Sequence, residues 1–94
     1  MKLDKSCTVW INCRTTQERE EILDIFEVIG ATWAGNKPME PRKWTSYKAP
    51  MHYLLENGRL MHGDVPVTGK ERYVTRGIIV EAKDFHNQWI SARR

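Results

Sequence analysis

Asn57-Gly58 stands between two apolar runs, Met51–Glu56 and Arg59–Gly63. Asn-Gly readily takes positive φ at both positions, which makes the type I′ turn that suits the twist of two antiparallel strands. The dipeptide therefore predicts a hairpin together with its register. Glu56 falls opposite Arg59, Leu55 opposite Leu60, Leu54 opposite Met61 and Tyr53 opposite His62. Alternate residues of a strand share a face, so Met51, Tyr53, Leu55 and Leu60 belong to one side, the side expected to pack on a helix. His52 and His62 belong to opposite sides, so they cannot both ligate one metal.

Residues 6–13 repeat the period of two. Cys7, Val9, Ile11 and Cys13 take one face; Thr8, Trp10 and Asn12 take the other. That pattern predicts a half-buried strand. Trp10 on the outer face is either packed under a loop or the C-terminal segment, or displayed. Thr15-Thr16-Gln17-Glu18 then has the form of a capping box, in which hydroxyl and carboxylate each satisfy an orphan amide. Ile22, Leu23, Ile25, Phe26 and Ile29 recur at helical spacing, and Gly30 ends a helix ~21 Å long. Ala31–Ala34 is a candidate short strand. Pro38, Pro41 and Pro50 then forbid a helix and restrict strands to short or edge pieces. The resulting long loop is of the kind that is functional or disordered. Val65–Arg76 is irregular and basic towards its end. Gly77–Ala82 predicts a short buried strand through Ile78, Ile79 and Val80. Asp84 caps a last helical turn or two, on which Phe85 and Trp89, at i and i+4, close the core edge.

The expected fold class is α+β, with one main helix on one face of a small, mostly antiparallel sheet and a short C-terminal helical turn. At 94 residues the chain reads as a single domain, 1–94. It can bury roughly 60–68% of its unfolded surface, which is one modest core. No apolar run approaches the ~18–20 residues needed to cross a bilayer, and the first residues lack the apolar stretch of a secretion signal. A cytoplasmic protein is expected. Cys7 and Cys13 would lie about 20 Å apart on one strand, too far for a disulfide, so both read as buried free thiols.

Charge is unevenly spread. Thr15–Gly30 carries five acidic residues against Arg19, a local charge of −4, while the remainder carries +7; together they make the net +3. The chain is dipolar, with an acidic helix and a basic remainder.

The run from Glu20 to Gly35 closes a helix on Gly30 and continues to Trp33 and Gly35. A basic, proline-containing loop follows, and then Tyr53-Leu54, Asn57-Gly58, Leu60 and Gly63 of the hairpin. This arrangement resembles small bacteriophage α+β proteins over about residues 8–85. Gly30, Trp33, Gly35, Asn57 and Gly58 read as structural positions, so the resemblance supplies no catalytic residue. It implies a protein that acts by binding host enzymes or defence systems, in the host cytoplasm if phage-encoded.

No catalytic constellation emerges. Cys-x-x-Cys and His-x-x-x-His spacings are missing, so no metal and no cofactor is expected. Gly69-Lys70-Glu71 has part of a phosphate loop, but Ser or Thr does not follow Lys70 and Pro66 interrupts the approach. Cys7 and Cys13 alternate with Val and Ile, which argues against an exposed, activated nucleophile. The reading is therefore of a non-enzymatic binder. Single-stranded nucleic acid is held by cations that track phosphates and by rings that stack on bases. Lys37, Arg42, Lys43, Lys48, Arg72 and Arg76 offer the first; Trp44 and Tyr47 offer the second. The expected partner is RNA or another single strand, alone or in a host complex. One alternative is a protein-only inhibitor in which Glu20, Asp24 and Glu27 engage a basic host protein. Another is a small-nucleotide sequestering protein. A homodimer through an exposed sheet edge is possible.

Overall fold

A computed structural model describes residues 8–33 and 48–92, apart from the side chains of Trp33 and Ala92. The elements are β1 (Val9–Cys13), α1 (Thr16–Val28), β2 (Thr32–Trp33), β3 (Met51–Glu56), β4 (Arg59–Gly63), β5 (Ile78–Glu81) and α2 (Ala82–Ala92). The fold is α+β, as expected.

Local chemistry sets the ends of α1. The Thr15 hydroxyl accepts from the Glu18 amide at 3.1 Å, and the Glu18 carboxylate accepts from the Thr15 and Arg14 amides. At the other end Gly30, at φ +78°, donates to Glu27 O, and Ala31 donates to Phe26 O. Those two bonds are a Schellman motif, and they turn the chain into β2. The hairpin has the register anticipated from Asn57-Gly58, pair for pair, with both turn residues at positive φ.

Strand directions dictate the layers. The sheet order is β2-β4-β3-β1-β5. β3 is antiparallel to β1 and to β4, whereas β5 runs parallel to β1 and β2 parallel to β4. Four strands thus point one way and only β3 opposes them, so the sheet is mixed: antiparallel at its centre, parallel at both margins. Parallel strands need a connection that crosses a face of the sheet. From β1 to β2 that crossover is α1. From β4 to β5 it is residues 64–77, which descend the opposite face.

On the α1 face, Val9, Ile11, Cys13, Met51, Tyr53, Leu55 and Leu60 meet Ile22, Leu23, Ile25, Phe26, Ala82 and Phe85 in one core. Phe26 stands edge-on to Tyr53 and to Phe85, with ring centroids 5.8 and 6.2 Å away. Each large side chain so buried contributes roughly 1.5–3 kcal/mol.

The opposite face is closed by polar fastenings. Asn12 is buried, and its side-chain amide donates to Val67 O at 2.9 Å while its oxygen accepts from Val67 N at 2.8 Å. It serves as a one-residue strand partner for the crossing segment. Arg14 Nε donates to Glu81 at 2.8 Å, fastening the end of β1 to the end of β5 and holding the Glu81 carboxyl below its usual range.

Three elements differ from expectation. β1 is not half-buried: all five of its residues are buried, because the α1 layer covers one face and residues 64–77 cover the other. β5 is not buried: Ile78 and Ile79 are 47% and 37% exposed, because β5 forms an edge of the sheet beside β1. The C-terminal segment is not a turn or two but the three-turn helix α2. Ala82, Phe85 and Trp89 make an i, i+3, i+7 stripe against the core, so the helix starts two residues before Asp84, which lies in its first turn and does not cap it.

Replacing Asn12 by Ala strands both buried backbone groups of Val67. The expected loss is on the order of 3 kcal/mol, read as a lower urea midpoint at unchanged slope. A loss of only about 0.5 kcal/mol, typical of surface positions, would mean that the crossing segment is merely draped on the sheet.

Candidate nucleic-acid interface

Trp10 organises the loop-covered face. Its indole Nε1 donates to Arg76 O at 2.9 Å. Its ring centroid lies 5.7 Å from that of His52 and 5.9 Å from that of Tyr73, and the His52 and Tyr73 rings stack at 6.4 Å with planes 17° apart. Trp10 is only 6% exposed, whereas Tyr73 is 54% exposed. Trp10 is thus a floor, and Tyr73 is the ring that solvent reaches. This settles the alternative left by the sequence: Trp10 packs under a loop.

His52 is fixed from three sides. Its Nδ1 meets Val65 O, an acceptor, so Nδ1 carries the proton. Its ring lies over the backbone of Gly63, where a β-carbon would collide with it. His62 projects from the α1 face, across from Tyr53, and burial, reinforced by His52, pushes its pKa down. The two histidines therefore occupy opposite faces, as their register requires.

Around Tyr73 the charges fall into place. A turn closed by Val74 N donating to Glu71 O carries Arg72 and Tyr73 at its centre, both exposed. The Glu71 carboxylate accepts from the Thr68 and Gly69 amides and the Thr68 hydroxyl, and those bonds hold its pKa down to about 2. In the Gly69-Lys70 turn, which has part of a phosphate loop, the Gly69 amide is thus turned onto Glu71 and the Lys70 amide onto the Thr68 hydroxyl. Arg76 grips Glu56 at 2.9 and 3.0 Å, and Arg59 is the cross-strand neighbour of Glu56. Glu56, Asn57, Arg59 and Met61 line a cleft of about 390 Å³ beside them. An exposed pair such as Arg76–Glu56 contributes at most ~1 kcal/mol to stability, so Arg76 can exchange its carboxylate for another anion at little cost.

Of the residues singled out in the sequence, Arg72 and Arg76 are both exposed on the segment that carries Tyr73, and Arg76 is paired with Glu56. Lys48 is exposed and leads into β3 at Met51, the end beside His52 and about 17 Å along the strand from Glu56. Lys37, Arg42, Lys43, Trp44 and Tyr47 lie outside the described residues. Tyr73 and Arg59 were not anticipated. The signal for Tyr73 was its place between Arg72 and Arg76; nothing in the sequence alone placed Arg59 beside them. On the opposite layer, Asp24 and Glu27 of α1 are exposed, and Glu20 is half-buried with Arg19 Nη2 at 3.5 Å.

Cys13 is buried in the core, and desolvation pushes its thiol up to about 12. It is the reverse of an activated nucleophile. Among the described residues no group of three His, Cys, Asp or Glu is placed to hold a metal ion, and no helix is long and apolar enough to cross a membrane. No protein-family model, curated protein or solved structure matches the chain.

Because the Cys13 thiol titrates near 9 when unfolded and about 12 when folded, the unfolded state loses that proton first as pH rises. Stability is expected to fall progressively above pH ~9. Tyr53, also raised by burial, acts in the same direction. Thiol titration should show Cys13 unreactive at pH 8 in the native protein and reactive in urea. Equal rates in both states would overturn its placement.

Proposed function

We propose that the chain is a non-enzymatic, phage-type binding protein that modulates a host defence or nucleic-acid-processing factor by contacting RNA or another single strand. The observation that carries this reading is the exposed Tyr73 ring, seated on Trp10 and His52 and flanked by Arg72 and Arg76. A supported ring on a sheet face with guanidinium groups around it is the arrangement that stacks an unpaired base and holds the adjoining phosphates. Duplex fits less well, since its bases are already stacked on one another. In this reading Arg59, Arg72 and Arg76 pair with phosphates, and Arg76 gives up Glu56 in doing so. Lys37, Arg42, Lys43, Trp44, Tyr47 and Lys48 extend the contact. The acidic layer of α1 faces away from the strand and keeps it on one side. The resemblance to phage proteins supports the host-directed setting, in the host cytoplasm.

The test is fluorescence anisotropy of a labelled single-stranded RNA across a potassium chloride series. With about four phosphates neutralised, log K should fall with log salt at a slope near −3. Tyr73→Ala should weaken binding by roughly 1–3 kcal/mol, and Arg72→Glu should flatten the slope. Salt-independent binding, or full affinity in Tyr73→Ala, would remove the nucleic-acid reading.

A further inference from the structure

The helical layer carries a second feature that nucleic-acid binding does not use. Glu21, Asp24, Ile25 and Val28 of α1, and His86, Trp89 and Ile90 of α2, line a groove of about 280 Å³. On α1 those positions run i, i+3, i+4, i+7; on α2 they run i, i+3, i+4. Each helix thus lends the groove one complete stripe. Its apolar rim is open to solvent at Val28 and Ile90, 61% and 37% exposed, while Trp89 is half-buried and Ile25 is a buried floor. Its acidic part is Glu21, whose carboxylate lies 3.6 Å from His86 Nδ1 and accepts from Gln17, together with exposed Asp24. Neither helix has a basic residue in its last turn. The negative ends of both helix dipoles are therefore uncompensated from within their own helices.

We infer that this groove is a docking site for a basic amphipathic helix of a partner protein. Charge selects the partner. Two carboxylates in a segment of net charge −4 repel phosphate and attract Lys and Arg. Shape selects the helix. Two helical stripes face the groove, and a third helix can lay Leu or Ile along Val28, Trp89 and Ile90 while its cations reach Glu21 and Asp24. The groove lies on the helical side of the sheet and Tyr73 on the loop side, so this inference stands apart from the nucleic-acid proposal. Both surfaces can be occupied at once.

The probe is a synthetic 18-residue peptide of Leu and Lys patterned for an amphipathic helix, with a Leu/Glu analogue as control. Both are titrated into the ¹⁵N-labelled full chain at physiological salt. The Lys peptide should shift the amides of Glu21, Asp24, Ile25, Val28, His86 and Ile90, and the Glu analogue should not. Asp24→Lys and Glu27→Lys change net charge equally, but Glu27 does not line the groove. The first should weaken binding at least tenfold and the second less than twofold. Val28→Asp, at a position exposed enough to spare the fold, should also weaken it several-fold. Equal losses in the two Lys variants, shifts centred away from the groove, or no shifts at all would overturn the inference.

Discussion

β1 is enclosed on both faces and paired on both edges, and the remaining architecture follows from that. Five consecutive residues, Val9 to Cys13, are all buried, which is uncommon in a sheet of this size with antiparallel pairing at its centre. Antiparallel pairing to β3 and parallel pairing to β5 occupy its two edges. Since β5 runs parallel to β1, and β1 parallel to β4 through β3, the chain has to travel from the end of β4 back to the start of β5. It crosses the sheet to do so, and the α1 face is already filled. The loop layer is thus a consequence of strand direction rather than an embellishment.

The two layers are held by different chemistry, and that difference prepares them for different work. The α1 face is interdigitated hydrocarbon and aromatic edge contact, which is tight and non-directional. The loop face is held at discrete points: Asn12 to Val67, His52 to Val65 and Trp10 to Arg76. Discrete anchors leave the residues between them outward-facing. Arg72 and Tyr73 lie between the Val67 and Arg76 anchors, and they are exposed for that reason.

Much of this was legible in the sequence, and for local reasons. Asn57-Gly58 dictates its own turn, and the turn dictates the register. Thr15 and Glu18 cap a helix that Gly30 ends. Alternation assigned the faces of Val9 to Cys13 and of the hairpin. Strand direction was not legible, because alternation is the same whichever way a strand runs. The parallel pairings of β2 and β5 therefore surfaced only in three dimensions, and with them the path that sets Tyr73 on Trp10 and brings Arg76 to Glu56. The length of α2 was half-visible: Phe85 and Trp89 announced a helical face, and Ala82 completed it. The edge exposure of Ile78 and Ile79 was hidden, since a run of β-branched residues reads alike at a margin and at a centre.

Glu81 ends β5 and Ala82 begins α2, with no residue between them. A helix joined to a strand without slack takes its rotational phase from that strand. One inserted residue would turn every α2 side chain by about 100°, carrying Phe85 away from Phe26 and swinging Trp89 and Ile90 off the groove they share with α1. The junction is a fixed gear: the chain can be lengthened in its loops, but at this point its count of residues is part of its geometry.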